Sequence, residues 1–174
     1  MRFLLGFLTG LAAVLLVIAL VIATGAFDTS AAKPPGGLEK AVAGLALNRS
    51  IARRAPKMSN HLSGPDVVRA GLAHYREMCV TCHGAPGVDA SEAGEGLNPP
   101  APDLTLERVQ RRPDGELFWV VQQGVRMSGM PAFGPTHKDA EVWKIVAFLR
   151  HLPQITKDEQ EALKVNAEGG EKPQ

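Results

Sequence analysis

Residues 66 to 83 read DVVRAGLAHYREMCVTCH. Val68, Gly71, Leu72, Tyr75, Met78 and Cys79 fall at i, i+3, i+4, i+7, i+10 and i+11, which is one stripe of an α-helix. The stripe runs straight into Cys79-Val80-Thr81-Cys82-His83. A Cys-x-x-Cys-His run is the attachment sequence of c-type haem. Each thiol adds its S–H across one porphyrin vinyl group, and two intervening residues let both sulfurs reach the two vinyls of one edge. The histidine that follows is then directed under the ring, with its imidazole on the iron.

Three other readings of the motif are weaker. A thioredoxin-like Cys-x-x-Cys follows a strand and needs no trailing histidine, whereas here a helical pattern precedes it. A structural zinc site wants four ligands, and no second Cys-x-x-Cys exists. A plain disulfide would leave His83 without a reason. With two cysteines in 174 residues, a disulfide-rich scaffold is excluded.

Past the motif, Gly84 to Pro102 is a loop rich in glycine and proline. Leu104 to Gln110 reads as a short helix, Pro113-Asp114-Gly115 as a turn, and Glu116 to Gln123 as a second short helix closed by Gly124. The loop Val125 to Pro135 follows. Thr136 is placed to cap a further helix with Asp139 three residues on. In it Val142, Ile145, Val146, Leu149 and Leu152 form one apolar face, ended by Pro153. Thr156 and Glu159 open a last helical segment that runs into a polar, disordered tail. No strand pattern stands out.

A haem iron needs a second axial ligand. Gly129-Met130-Pro131-Ala132-Phe133 lies 47 residues beyond His83, in the loop between two expected helices. Met130 and Met127 both occur there, while Met58 and Met78 read as core filler. His61, His74, His137 and His151 read as surface groups.

The amino-terminal part carries a different signal. Phe3 to Phe27 are 25 residues without a charge, enough to cross a bilayer as a helix. A cleaved signal with its cut near Ala23-Thr24-Gly25 is the alternative, but a signal's apolar region is only about 7–15 residues long. The run is therefore read as a retained membrane anchor, contacting lipid through residues 3–27. Lys33-Pro34-Pro35-Gly36-Gly37 is a helix-breaking linker. Leu38 to Ala55 reads as a weakly amphipathic helix, with Leu38, Val42, Leu45 and Ala52 in phase. The rest of the chain, residues 28–174, holds 18 basic and 18 acidic side chains. That balance argues against a nucleic-acid partner, which would need a basic stripe.

Taken together, the haem motif, the helix pattern and the methionine loop resemble the class I monohaem c-type cytochromes, in a membrane-anchored bacterial form. The resemblance covers residues 65–153. It implies an all-α fold, few helices around one covalent haem c, here behind an amino-terminal transmembrane helix. Gly71 and Tyr75 match the family's first helix, where a glycine permits a close helix crossing. Phe148 and Leu149 look like the aromatic–aliphatic pair of the last helix that crosses it. Met130 is favoured over Met127, because Met-Pro resembles the family's haem-ligand segment. The implied haem-binding set is Cys79, Cys82, His83 and Met130, with His83 and Met130 on the metal. A proline carbonyl after the motif is expected to hold the histidine's Nδ1, with Pro99 and Pro100 as candidates, and Phe118 and Trp119 are expected to wall the haem.

The domains expected are an anchor (1–27), a linker with an amphipathic helix (28–64), the cytochrome domain (65–153) and a polar tail (154–174). The family implies one-electron transfer, not enzymatic catalysis, with transient redox partners. The alternative is a fixed cytochrome subunit of a membrane dehydrogenase or terminal oxidase complex. Because haem c is attached outside the bacterial inner membrane, the soluble part is expected in the periplasm.

Overall fold

A computed structural model describes residues 2–167. The chain divides into two units, Met1–Lys33 and Pro34–Gln174. The first is one apolar helix, α1 (Arg2–Ala23). Its 22 residues span about 33 Å, against a hydrocarbon core of about 30 Å. The hydroxyls of Thr9 and Thr24 donate back to the carbonyls of Leu5 and Leu20, so neither would be left bare in lipid. Gly25, at φ 66°, ends the helix four residues before the apolar run does.

The second unit is built from α2 (Gly37–Arg54), α3 (Pro65–Met78), α4 (Val80–His83), α5 (Glu92–Glu95), α6 (Glu107–Gln110), α7 (Asp114–Gln123), α8 (Asp139–His151) and α9 (Lys157–Ala167). There is no strand among the described residues, only an isolated bridge between Ala85 and Val88. The crossing of α3 and α8 is the centre of the unit. It is close because of Gly71: a Cβ there would lie 2.1 Å from the Lys144 carbonyl oxygen and 2.7 Å from Phe148 Cβ. Tyr75 and Phe148 then meet with ring centroids 5.1 Å apart, both fully buried. The expected apolar face of α8, Val142 through Leu152, is buried throughout.

Several local expectations need correction. α7 begins at Asp114, not Glu116. Asp114 accepts from Asn60 N–H and from Arg150, so it starts the helix and ties it to two distant segments. α8 is not capped by Thr136, whose hydroxyl donates to Phe133 O; Glu141 instead accepts from the Lys138 N–H at 2.7 Å. Met58 is half exposed, not core.

Packing also reaches past residues 65–153 at both ends. On α2 the expected stripe faces out: Leu38, Val42 and Leu45 are 79%, 60% and 61% exposed. The residue buried is Ile51. The difference is one of side, because a weak stripe of aliphatics on both faces cannot say which one meets the core. At the other end, Thr156 and Glu159 form the expected capping box. The helix they open, α9, buries Leu163 and packs on α3 and α4. The disorder expected of the polar tail concerns residues 168–174, outside the described residues.

Candidate functional site

Cys79 ends α3 and caps α4, so the motif turns without leaving helical geometry. The N–H groups of Cys82 and His83 both donate to Cys79 O, at 3.1 and 2.9 Å. Two outside groups pin the turn. Tyr75 Oη donates to Gly84 O at 2.6 Å, and Ser91 meets Thr81 O through both its N–H and its hydroxyl. Gly84, at φ 59°, is where the chain reverses, and any Cβ there would lie 2.7 Å from Val88 O.

A cavity of about 350 Å³ opens beside this turn. Cys79, Cys82, His83 and Met130 all line it. Around them the wall is overwhelmingly apolar, with Leu117, Val121, Ile145 and Leu149 from α7 and α8 among its members.

His83 Nδ1 lies 2.9 Å from Pro102 O. The carbonyl accepts there, which places the proton on Nδ1 and leaves Nε2 with its lone pair. The expectation that Pro99 or Pro100 holds this nitrogen is thus corrected. Both line the cavity, but the long connection brings the carbonyl of Pro102 to the ring. Burial pushes the imidazole below its ordinary pKa, opposed by the Pro102 bond, so the ring is held neutral, the form that ligates a metal. Burial, followed by the proximity of Cys82, pushes the Cys79 thiol up to about 12. A redox-active Cys-x-x-Cys needs the opposite shift.

Met130 sits in a tight loop. Its carbonyl accepts from Val125 N–H at 3.1 Å and its N–H donates to Ser128 Oγ at 3.1 Å. Gly124, at φ 65°, lets this loop return onto α7, since a Cβ there would meet Pro131 at 2.6 Å. Gly129 does the same against Leu97, on the connection that follows the motif. Met127 is 91% exposed and does not reach the cavity.

The aromatic wall is corrected as well. Neither Phe118 nor Trp119 lines the cavity; the face of α7 turned to it carries Leu117, Val120 and Val121. Phe118 stacks on Trp143 instead, with centroids 4.3 Å apart, on the other side of the helix. None of the four remaining histidines lines the cavity. His151 pairs with Glu159, and His137 packs edge-on against both His74 and Phe133.

Two contributors were missed by sequence reasoning. Leu47 and Ile51 bring α2 into the wall, and Arg112 brings the one cationic Lys or Arg side chain that lines it. Arg112 donates to Glu116 and to Asn48 of α2. The spacing of Leu47 and Ile51 by four was the available signal for the first.

Two thiols, a neutral imidazole with one free nitrogen and a thioether around one apolar cavity are the donors that a covalent haem requires. The residues present fit that group. Residues 66–149 match the family model described as cytochrome C oxidase, cbb3-type, subunit III. This stretch is a monohaem class I c-type cytochrome domain. The cytochrome domain implies covalently bound haem c and an electron-transfer role. The apolar amino-terminal helix of the chain, the one such helix among the described residues, fits membrane anchoring. No curated protein matches the chain.

Proposed function

We propose that the chain is a membrane-anchored one-electron carrier, with its cytochrome domain in the periplasm. Cys79 and Cys82 would hold the haem by thioether bonds, His83 Nε2 and Met130 Sδ would take the two axial positions, and α1 would be the retained anchor. When bound, the haem supplies an iron that gains and loses one electron. The observation that carries the reading is the meeting of Cys79, Cys82, His83 and Met130 on one apolar cavity, with His83 Nδ1 fixed by Pro102.

The protein's own residues do three things. Pro102 O orients the imidazole and keeps Nε2, the nitrogen that would hold the iron, unprotonated. The Val125 backbone N–H and the Ser128 hydroxyl hold the Met130 segment in one conformation. The aliphatic walls from α2, α7 and α8 exclude water, which disfavours extra charge at the centre. With His83 and Met130 both bound to it, the iron would keep no open position for a substrate.

A reduced-minus-oxidised spectrum of the purified protein tests this. The expected result is a c-type spectrum with the weak near-infrared band of sulfur ligation, lost in Met130→Ala and retained in Met127→Ala. Rapid and complete carbon monoxide uptake by the reduced wild-type protein would overturn the His/Met assignment. The family description favours one further reading, a fixed subunit of a membrane oxidase complex. Co-purification of catalytic subunits in mild detergent would support it over a free carrier.

A further inference from the structure

α2 presents two different faces. Leu47 and Ile51 point into the cavity wall. On the opposite side, Leu38, Val42, Leu45, Arg49 and Arg53 follow one another at steps of four, three, four and four, which keeps them on one line of the helix. All five are exposed, and residues 37–43 are exposed on every side. The helix carries Lys40, Arg49, Arg53 and Arg54 against a single acid, Glu39. Arg54 is bonded to Ser50, while Arg49 and Arg53 have no partner among the described residues.

We propose that this face is an interfacial membrane helix. Leu38, Val42 and Leu45 enter the acyl boundary, and Arg49 and Arg53 meet the phosphates of anionic phospholipid. The inference rests on the reading of α1 as a retained anchor.

Two observations select lipid over a protein partner. First, only 13 residues separate α1 from α2. At no more than about 3.5 Å each they reach about 45 Å, so α2 cannot leave the neighbourhood of the bilayer. Second, the line is apolar at the end nearer the anchor in sequence and cationic at the other, the composition of a helix lying in a headgroup layer. Because the same helix walls the cavity, its seating would hold the haem about one helix diameter, roughly 10 Å, from the headgroups. The carrier would then present its haem to membrane-bound partners at a fixed height.

Site-directed spin labelling of the full-length, haem-loaded, reduced protein tests the proposal, since haem attachment consumes both native thiols. Nitroxides are placed one at a time on Leu38→Cys, Val42→Cys and Leu45→Cys, on Lys40→Cys across the helix, and on Val14→Cys in α1. The protein is reconstituted alone in vesicles of phosphatidylglycerol and phosphatidylcholine. The first three labels are expected to lose nickel-chelate accessibility several-fold relative to Lys40→Cys and to gain oxygen accessibility. Arg49→Gln and Arg53→Gln are each expected to lower the immersed fraction's ratio to the exposed one about fivefold. Immersed Val14→Cys with all α2 labels equally open to the chelate would overturn the interfacial helix and leave the anchor standing. A water-open Val14→Cys would overturn both. Equal immersion in pure phosphatidylcholine would overturn the role given to the arginines.

Discussion

The double substitution Cys79→Ala, Cys82→Ala removes haem attachment, and the cavity sets the size of the effect. Its volume is about 350 Å³. Residual cavity in a protein interior costs about 24 cal/mol per Å³, so a void of that size corresponds to about 8 kcal/mol. A whole domain is stable by only about 5–15 kcal/mol. Collapse cannot recover the loss cheaply, since the wall is drawn from α2, α4, α7, α8 and the methionine loop, and closing it would displace all five. Water can enter, but it finds almost no polar partners on an aliphatic lining. The haem-free variant is therefore expected to lose fixed tertiary packing while keeping part of its helix content. The assay is a ¹H–¹⁵N correlation spectrum paired with near-ultraviolet circular dichroism, on material shown to be colourless. A dispersed spectrum with cooperative unfolding within about 2 kcal/mol of the haem-loaded protein would refute the reasoning, because the walls would then be shown to stand without their contents.

Gly71→Ala places a Cβ 2.1 Å from the Lys144 carbonyl oxygen. Real Cβ contacts do not fall under 3.0 Å, so α3 and α8 must part by about 1 Å. Overpacking costs about 1–3 kcal/mol against a gain in helix propensity of about 1 kcal/mol, and denaturant unfolding of the haem-loaded variant should show a net loss of up to about 2 kcal/mol. Tyr75→Phe leaves the buried Gly84 carbonyl without its 2.6 Å partner and should cost about 1–3 kcal/mol in the same assay, with the spectrum unchanged. At Glu159 burial raises the pKa, but bonds from Thr156 and His151 more than offset it and hold the carboxyl below its ordinary value of 4.5. A depressed carboxyl contributes stability that is complete above that value and fades as pH falls through the folded one. Hydrogen exchange should show α9 opening first in acid, and Glu159→Gln should abolish that pH dependence.

The centre of this fold is legible in the chain because its determinants are local. The i, i+3, i+4 stripe of α3, the motif and the apolar face of α8 each lie within one element, and each is found where periodicity puts it. Met130 could be ranked over Met127 only by likeness, yet the structure separates them by exposure. What was illegible depends on the side of a short helix or on long-range closure. α7 has apolar residues all round, so Phe118 could be assigned to the cavity as readily as Leu117; only its stacking partner Trp143, from α8, decides. Pro102 could not be chosen over Pro99 and Pro100, because the irregular connection that puts the acceptor 19 positions after His83 has no period to count. Leu47 and Ile51 escaped notice for a related reason: α2 has aliphatics on two faces, and the better-spaced set is the exposed one.

The two ends of the proposed ligand set share a feature that bears on electron transfer. Each is held by backbone groups and, at Met130, one short hydroxyl, and not by long side chains. His83 is fixed by a carbonyl, and Met130 by its own N–H and carbonyl, inside a loop that touches α7 at Gly124 and the Leu97 segment at Gly129. The Pro131 backbone at Gly124 and the Leu97 side chain at Gly129 sit where a Cβ would collide, so the loop is closely packed at both points. Long side-chain supports would shift with each change of charge at the iron; short backbone ones resist it. A carrier gains from this, because ligand positions common to both oxidation states keep reorganisation small. A sensor or catalyst would require the reverse, a methionine on a loop free to leave. The contact of Gly129 with Leu97 is therefore the part of the site that most directly separates these uses. It packs the methionine loop on the connection that carries Pro102, and so couples the two segments proposed to hold the iron.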